Sequence, residues 1–318
     1  MLIVLSSGFA GCLDDNGEDE DLDHRQLMRD LVISMGDHAR GEDPDFIVIP
    51  QNGIELLSMD PERAADPAID YMDAIDGVGQ EDLLYGYDED DRRTPSEETE
   101  WLRNFLDLGE DNGVEALVTD YCWSRDKMDR SYEENEKKGY ISFAADHRDL
   151  DNIPDYPDDP HNLNENDVTT LSDARNFLYL IDPSGYETRI EYLDSLRDTN
   201  YDLLIIDAFF EDQEILTEEE VNSLKLKQNG GTRLVISYMS IGEAEDYRYY
   251  WEDDWKQGDP GFIDEENPDW EGNYIVRYWD EEWQNVIFGE GDSYTDRLLS
   301  SGFDGVYLDI IEAFEYYE

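Results

Sequence analysis

Three short apolar runs end on an aspartate: Val306-Tyr307-Leu308-Asp309-Ile310-Ile311, Leu204-Ile205-Ile206-Asp207 and Leu117-Val118-Thr119-Asp120. A carboxylate entering the mouth of a core needs a compensating role, which separates these three from the other acidic residues. Glu81 follows the run Ile75-Asp76-Gly77-Val78-Gly79-Gln80, with Asp82 beside it. For Asp207 and Asp120, capping a helix or pairing with an arginine is an equally good account; for Asp309 it is the weaker one. Tyr85, Tyr87, Tyr121, Trp123, Tyr238, Trp279 and Tyr307 accompany these carboxylates. Flat apolar faces beside hydrogen-bonding groups suit sugars, although core packing is the ordinary use of any one aromatic. Two carboxyl groups, one kept protonated and one ionised, are the equipment of glycoside hydrolysis.

Other chemistries fit less well. The four histidines, His24, His38, His147 and His161, show no His-x-x-x-His or His-Glu-x-x-His spacing, so neither a metal site nor another cofactor is expected. A Gly-x-Ser-x-Gly elbow is missing, Cys122 has no evident histidine partner, and none of the six lysines falls at a strand end.

These residues must be positioned by the elements around them. Eight short β-rich runs are bounded by turn residues: Phe46–Pro50, Ala74–Val78, Ala116–Tyr121, Tyr140–Ala144, Phe177–Ile181, Leu203–Asp207, Leu234–Met239 and Gly305–Ile310. Amphipathic helical patterns lie between them, at His24–Ala39, Glu97–Leu108, Tyr186–Leu196, Glu218–Lys227 and Tyr294–Leu299. Continuous apolar strands alternating with helices predict a parallel sheet, and eight such units favour a closed (β/α)8 TIM barrel. No strand is followed by Gly-x-Gly-x-x-Gly, which argues against a dinucleotide-binding sheet. The order is unusual, with a helix first and a strand last. The polar segment at 149–173 looks like a bridge between two half-barrels, and the whole like a circular permutation of one domain over 23–318. Barrel enzymes place their chemistry at the C-terminal strand ends, where Asp309, Glu81, Asp207 and Asp120 fall.

Of 318 residues, 83 are acidic and 23 basic, giving a formal net charge of −60. So acidic a surface repels phosphate and excludes nucleic acid as a partner. Aromatic residues are too frequent and the acidic ones too dispersed for a disordered tail. The composition suggests adaptation to high salt, where self-repulsion is screened; an acidic protein from an ordinary cell is the alternative. Near the start, Leu2-Ile3-Val4-Leu5-Ser6-Ser7-Gly8-Phe9-Ala10-Gly11-Cys12 precedes an acidic spacer. Phe-Ala-Gly-Cys resembles a lipobox, so residues 1–22 read as a lipoprotein-type signal and spacer. Cys12 would bear the lipid and anchor an extracellular monomer to the outer face of the membrane; the run is too short to span a bilayer.

Long motifs carry a family resemblance. Tyr238-Met239-Ser240-Ile241-Gly242-Glu243-Ala244-Glu245-Asp246-Tyr247-Arg248, Glu266-Asn267-Pro268-Asp269-Trp270, Tyr278-Trp279-Asp280 and Gly302-Phe303-Asp304-Gly305-Val306-Tyr307-Leu308-Asp309 are similar to glycoside hydrolase family 114. The likeness extends to Ile49-Pro50-Gln51-Asn52-Gly53, to Asp76-Gly77-Val78-Gly79-Gln80-Glu81-Asp82 and to Gly139-Tyr140-Ile141-Ser142-Phe143-Ala144. That family contains endo-α-1,4-polygalactosaminidases with TIM-barrel folds. The resemblance implies Asp309 as nucleophile and Glu81 as general acid/base. It implies that Tyr238, Asp207, Asp120, Gln51, Asn52, Glu243, Arg248, Asp82 and Tyr307 orient the sugar or the catalytic pair. The halves of the chain are exchanged relative to the polygalactosaminidases, and Gln51-Asn52 stands where those tend to have Lys-Asn. The implied partner is an amino-sugar polysaccharide, with a non-catalytic sugar-binding barrel or a barrel enzyme of different chemistry as alternatives.

Overall fold

The computed structural model describes residues 22–210, 214–289 and 291–318; the apolar run and Cys12 lie outside the described residues. Eight strands run parallel to their neighbours: β1 (Ile47–Pro50), β2 (Gly77–Glu81), β3 (Glu115–Tyr121), β4 (Ile141–Ala145), β5 (Phe177–Leu180), β6 (Leu203–Asp207), β7 (Leu234–Ser240) and β11 (Gly305–Asp309). Between β7 and β11 the chain makes a small antiparallel sheet of β8 (Glu243–Glu245), β9 (Ile263–Glu266) and β10 (Asn273–Val276). The helices are α1 (His24–Glu42), α2 (Ile69–Met72), α3 (Ser96–Asp111), α4 (Arg125–Glu136), α5 (Arg189–Arg197), α6 (Glu218–Leu224), α7 (Glu281–Phe288), α8 (Tyr294–Ser300) and α9 (Phe314–Tyr317).

Alternation of strands with helices produces a mixed α/β fold whose parallel strands are buried on both faces, as in β1, β2, β4, β5 and β7. One sheet has the order β1-β11-β7-β6-β5 and another the order β2-β3-β4. The expected closure of the last strand on the first is present, with Ile47 opposite Gly305 and Pro50 opposite Leu308. The two sheets meet at a parallel bridge between Gln51 and Gly79. On the far side, Phe143 of β4 and Phe177 of β5 bring their rings to 5.7 Å.

The opening helix α1 forms because Met28, Leu31, Val32, Met35 and Ala39 recur at helical spacing, and Asp23 caps its start by accepting from the Gln26 N–H. Its buried Arg29 donates to the carbonyls of Leu56 and Ser58, fixing the segment after β1. The expected 149–173 bridge is irregular until a single 3-10 turn at Leu171–Asp173. It is pinned from within: Asn164 donates to Asp202 at 2.8 Å, and fully buried Asp202 pairs with Lys227 at 2.8 Å.

Several boundaries differ from the sequence reading. The second strand occupies Gly77–Glu81 instead of Ala74–Val78, so Glu81 is the last strand residue and not part of the following loop. Ala74–Asp76 instead closes α2, because Arg40 draws in the Ala74 carbonyl and the Asp76 carboxylate. Helices α4 and α7 and the β8–β10 sheet were not expected; α4 is nearly all polar and buries only Met128, Ser131, Tyr132 and Asn135. The chain also does not end on a strand: after β11, buried Ile311 and Phe314 draw a 3-10 turn and α9 back over the fold.

Lys227 is 1% exposed and its ammonium is compensated by Asp202 and the Asn164 carbonyl. Lys227→Met leaves Asp202 buried without its counter-ion, and we expect it to lower stability by about 3–5 kcal/mol in chemical denaturation.

Candidate active site

Side chains two residues apart share one face of a strand. On β11 this pairs Tyr307 with Asp309, and on β2 it pairs Gly79 with Glu81. The two strands flank β1 on either side. Tyr307 reaches across so closely that a Cβ at position 79 would overlap its hydroxyl and ring, which is why glycine stands there. Asp309 and Glu81 therefore occupy the next inward-facing layer above that contact. Both line the main cleft, whose volume is about 880 Å³.

Asp309 is held at both oxygens: the Tyr238 hydroxyl donates to Oδ2 at 2.8 Å and the Ile310 N–H to Oδ1 at 2.8 Å. Glu81 receives the Tyr121 hydroxyl on Oε1 and the Asn52 amide on Oε2 at 3.1 Å. Asn52 also accepts from the Glu81 N–H at 3.1 Å, so one side chain fixes both ends of that residue. Arg148 lies over the Tyr121 ring with its guanidinium carbon 3.9 Å from the centroid. Asn52, Asp82 and Ile310 directly follow the ends of the three site strands or the bridge, and all have φ near +60°. For β-branched Ile310 this conformation carries a cost of about 1–3 kcal/mol.

A third carboxyl group joins the pair. Glu312 follows the Ile310 turn and its Oε1 lies 3.4 Å from the same Asn52 amide. Burial, then the Asp309 charge, pushes the Glu312 carboxyl up to about 8. Burial and the Glu81 charge raise Asp309 to about 6 against the opposing hydrogen bonds from Tyr238 and Ile310. At Glu81, burial favours the neutral acid, but the Tyr121 and Asn52 hydrogen bonds and Arg148 favour the ion and the carboxyl is held below its ordinary value. Near neutral pH the site thus keeps a proton on Glu312 and an ionised Asp309.

Both arginines at the cleft are already compensated. Arg248 makes a two-pronged pair with Asp207 at 2.8 and 2.9 Å and contacts Glu245 at 2.6 Å. Arg148 contacts Asp82 at 2.8 Å and Asp90 at 2.9 Å. With Glu81, Asp309 and Glu243 also lining it, the cleft holds more carboxyl groups than arginines.

The structure brings Asp309, Glu81, Gln51, Asn52, Tyr238, Asp207, Glu243 and Arg248 to the one cleft. Gln51 accepts from Tyr179 at 2.8 Å below the pair. Asp207 is the arginine-paired carboxylate that sequence left as an alternative. Glu243 accepts from Asn267 at 2.7 Å and Asn273 at 3.1 Å, which ties β8 to the β9–β10 turn. Three expected residues are corrected. Asp120 does not reach the cleft: it is fully buried and saturated by the Leu84 and Tyr85 N–H groups, Ser131 and Asn135. Asp82 turns away toward Arg148, and Tyr307 packs beneath the pair as its floor. Sequence reasoning missed Glu312, Tyr179 and the role of Arg148. For Glu312 the available signal was its place three residues beyond Asp309.

Asp309 also carries a stability signature. Its folded pKa lies above the ordinary value near 3.9, so its favourable contribution is complete below pH 4 and lost as pH rises through about 6. Asp309→Asn removes that buried charge. We expect it to gain about 1–2 kcal/mol over wild type at pH 8 and nothing at pH 4, measured by urea unfolding at both values.

Comparison with known proteins follows this geometry. Three uncharacterized proteins are similar: one from Methanocaldococcus jannaschii, 38% identical over 56% of this chain and 49% of its own length; one from Thermotoga maritima, 38% identical over 37% and 35%; and one from Deinococcus radiodurans, 37% identical over 42% and 39%. The matched parts span half or less of the length of these curated relatives. The model of glycoside-hydrolase family GH114 matches residues 182–317, a stretch that contains β6, β7, the antiparallel sheet and the Asp309 strand. Over that region the chain is similar to glycoside-hydrolase family GH114.

Proposed function

We propose that this protein cleaves a glycosidic bond with Asp309 as nucleophile and Glu81 as general acid/base. The observation that carries the reading is the shared layer of these two carboxyls above the Tyr307–Gly79 contact, at the floor of one cleft. The family match over residues 182–317 supports glycosidase chemistry in general. The eight parallel strands, the β1–β11 pairing and the Gln51–Gly79 bridge favour a closed (β/α)8 barrel, permuted so that a helix leads.

In this mechanism the reacting form of the pair carries its single proton on Glu81: ionised Asp309 attacks the anomeric carbon while Glu81 gives that proton to the departing oxygen. The glycosyl ester on Asp309 is then hydrolysed by a water whose proton Glu81 takes back. Tyr238 and the Ile310 N–H hold the nucleophile in one orientation, and Tyr121 and Asn52 hold the acid. A cleft lined by more carboxyl groups than arginines favours a cationic substrate, so the preferred chain is an amino-sugar polysaccharide of the α-1,4-galactosamine type. We place the protein outside the cell, lipid-anchored through Cys12, a reading that rests on the Phe-Ala-Gly-Cys sequence alone.

The test is a screen of purified protein in molar salt against polysaccharides that include α-1,4-galactosamine polymers. On a substrate the wild type cleaves, Asp309→Asn and Glu81→Gln should each lower kcat by at least about a thousandfold while the protein stays folded. Near-wild-type turnover in both variants would overturn the assignment. Because the pair must keep one proton, kcat/KM should fall as pH rises through about 6, where Asp309 and Glu81 are both ionised. In Glu81→Gln the residual activity needs only ionised Asp309, so it should lose this fall and persist above pH 6.

A further inference from the structure

Two exposed tryptophans stand at the rim of the cleft, on opposite flanks of the carboxyl pair. The strand order β7-β11-β1-β2 follows from the β11–β7 and β1–β11 pairings and the Gln51–Gly79 bridge. Asp309 ends β11 and Glu81 ends β2. The β8–β10 sheet, inserted between β7 and β11, lies on the Asp309 flank; α3, which follows β2, lies on the Glu81 flank. Trp270 is on the β9–β10 turn and Trp101 is on α3, and both line the cleft.

Neither ring is used as core. Trp101 is 36% exposed and sits beside the buried stripe of Leu102, Phe105, Leu106 and Gly109, touching it only through Phe105 at a centroid distance of 4.9 Å. Trp270 is 55% exposed on a turn that is itself firmly built. Asn267 donates its N–H to the Asn273 carbonyl at 2.7 Å, and the amides of Asn267 and Asn273 both donate to Glu243, which is 3% exposed. A buried carboxylate committed to holding a turn that presents a bare indole is an arrangement that packing does not require. The cleft's volume of about 880 Å³ lies near the upper end of the ~300–1,000 Å³ range of small-molecule sites, more than one sugar ring fills.

We infer that Trp101 and Trp270 are sugar-stacking platforms on either side of the scissile bond, and that the cleft holds a glycan chain running from α3 across Glu81 and Asp309 to the β9–β10 turn. This rests on the glycosidase reading and adds to it which side chains grip the glycan on each side of the cut. Each indole covers one apolar sugar face, and the rigid turn and helix fix the spacing between the two covered rings.

Two measurements test the inference with α-1,4-galactosamine oligosaccharides of increasing length. In steady-state kinetics and product analysis, Trp101→Ala and Trp270→Ala should each raise KM for long chains about tenfold, with Phe recovering part of the loss. Each should shift the product lengths, because each removes grip on a different side of the cut. Calorimetric binding to the Asp309→Asn protein needs no turnover. There, wild-type rims should bind longer chains more tightly, and each alanine variant should reduce that gain. Unchanged KM, binding and product pattern in both variants would overturn the platforms, as would failure of the oligosaccharides to bind at all. Tryptophan-dependent binding without cleavage by the wild type would support the platforms and sink the glycosidase reading instead.

Discussion

The approach of Tyr307 to Gly79 is the constraint on which the mouth of this fold depends. A phenol from β11 can cross in front of β1 and meet β2 only where the facing position has no side chain. That contact sets the distance between two non-adjacent strands at one level. It thereby sets how far apart the next inward-facing residues, Asp309 and Glu81, can stand. Tyr179, whose ring meets Tyr307 edge-on with centroids 5.2 Å apart, and Gln51, which accepts from Tyr179, complete the same floor. The carboxyl pair thus rests on packed aromatic rings, and its geometry is a consequence of core packing rather than of loop conformation.

Placing this many acidic groups together is unfavourable unless each is treated differently. Asp207 and Asp82 are neutralised by arginines, Asp120 by four hydrogen bonds inside the core, and Glu243 by two amides. Asp309, Glu81 and Glu312 are instead held by hydrogen bonds from Tyr238, Tyr121, Asn52 and the Ile310 N–H. Burial, and after it mutual repulsion, is answered there by holding protons, so Glu312 and Asp309 are pushed to about 8 and about 6. The compensated carboxylates frame the site, while the uncompensated ones are left able to exchange protons.

Sequence exposed the parts of this arrangement that depend on local pattern. Apolar strands ending in Asp207 and Asp309 were legible because burial of a carboxylate after a run of Leu, Ile and Val is locally improbable. The pairing of the last strand with the first was legible from element order. Glu312 was not, since its entry into the cleft depends on the left-handed turn at Ile310, a conformation that a β-branched residue does not advertise. The fate of Asp120 was hidden for a similar reason: its partners Ser131 and Asn135 come from α4, whose polar sequence gives little amphipathic signal. The β8–β10 sheet was legible only as motifs that resemble a family and not as strands, because its strands of three and four residues are too short for a period-2 pattern to stand out.

The acidity of the surface and the acidity of the cleft obey different physics. Most of the excess behind the net charge of −60 must face solvent, since few carboxylates among the described residues are enclosed in the fold. Between exposed charges, molar salt reduces the screening length to about 3 Å, so their repulsion is largely removed. Asp309 and Glu81 interact across a partly enclosed floor that counter-ions reach poorly, and burial itself is the largest cause of the Asp309 shift. Salt therefore relieves the cost of the acidic shell while leaving the proton affinity of the carboxyl pair nearly as it is. A surface of this charge can be tuned to its solvent without disturbing the groups that carry out the reaction.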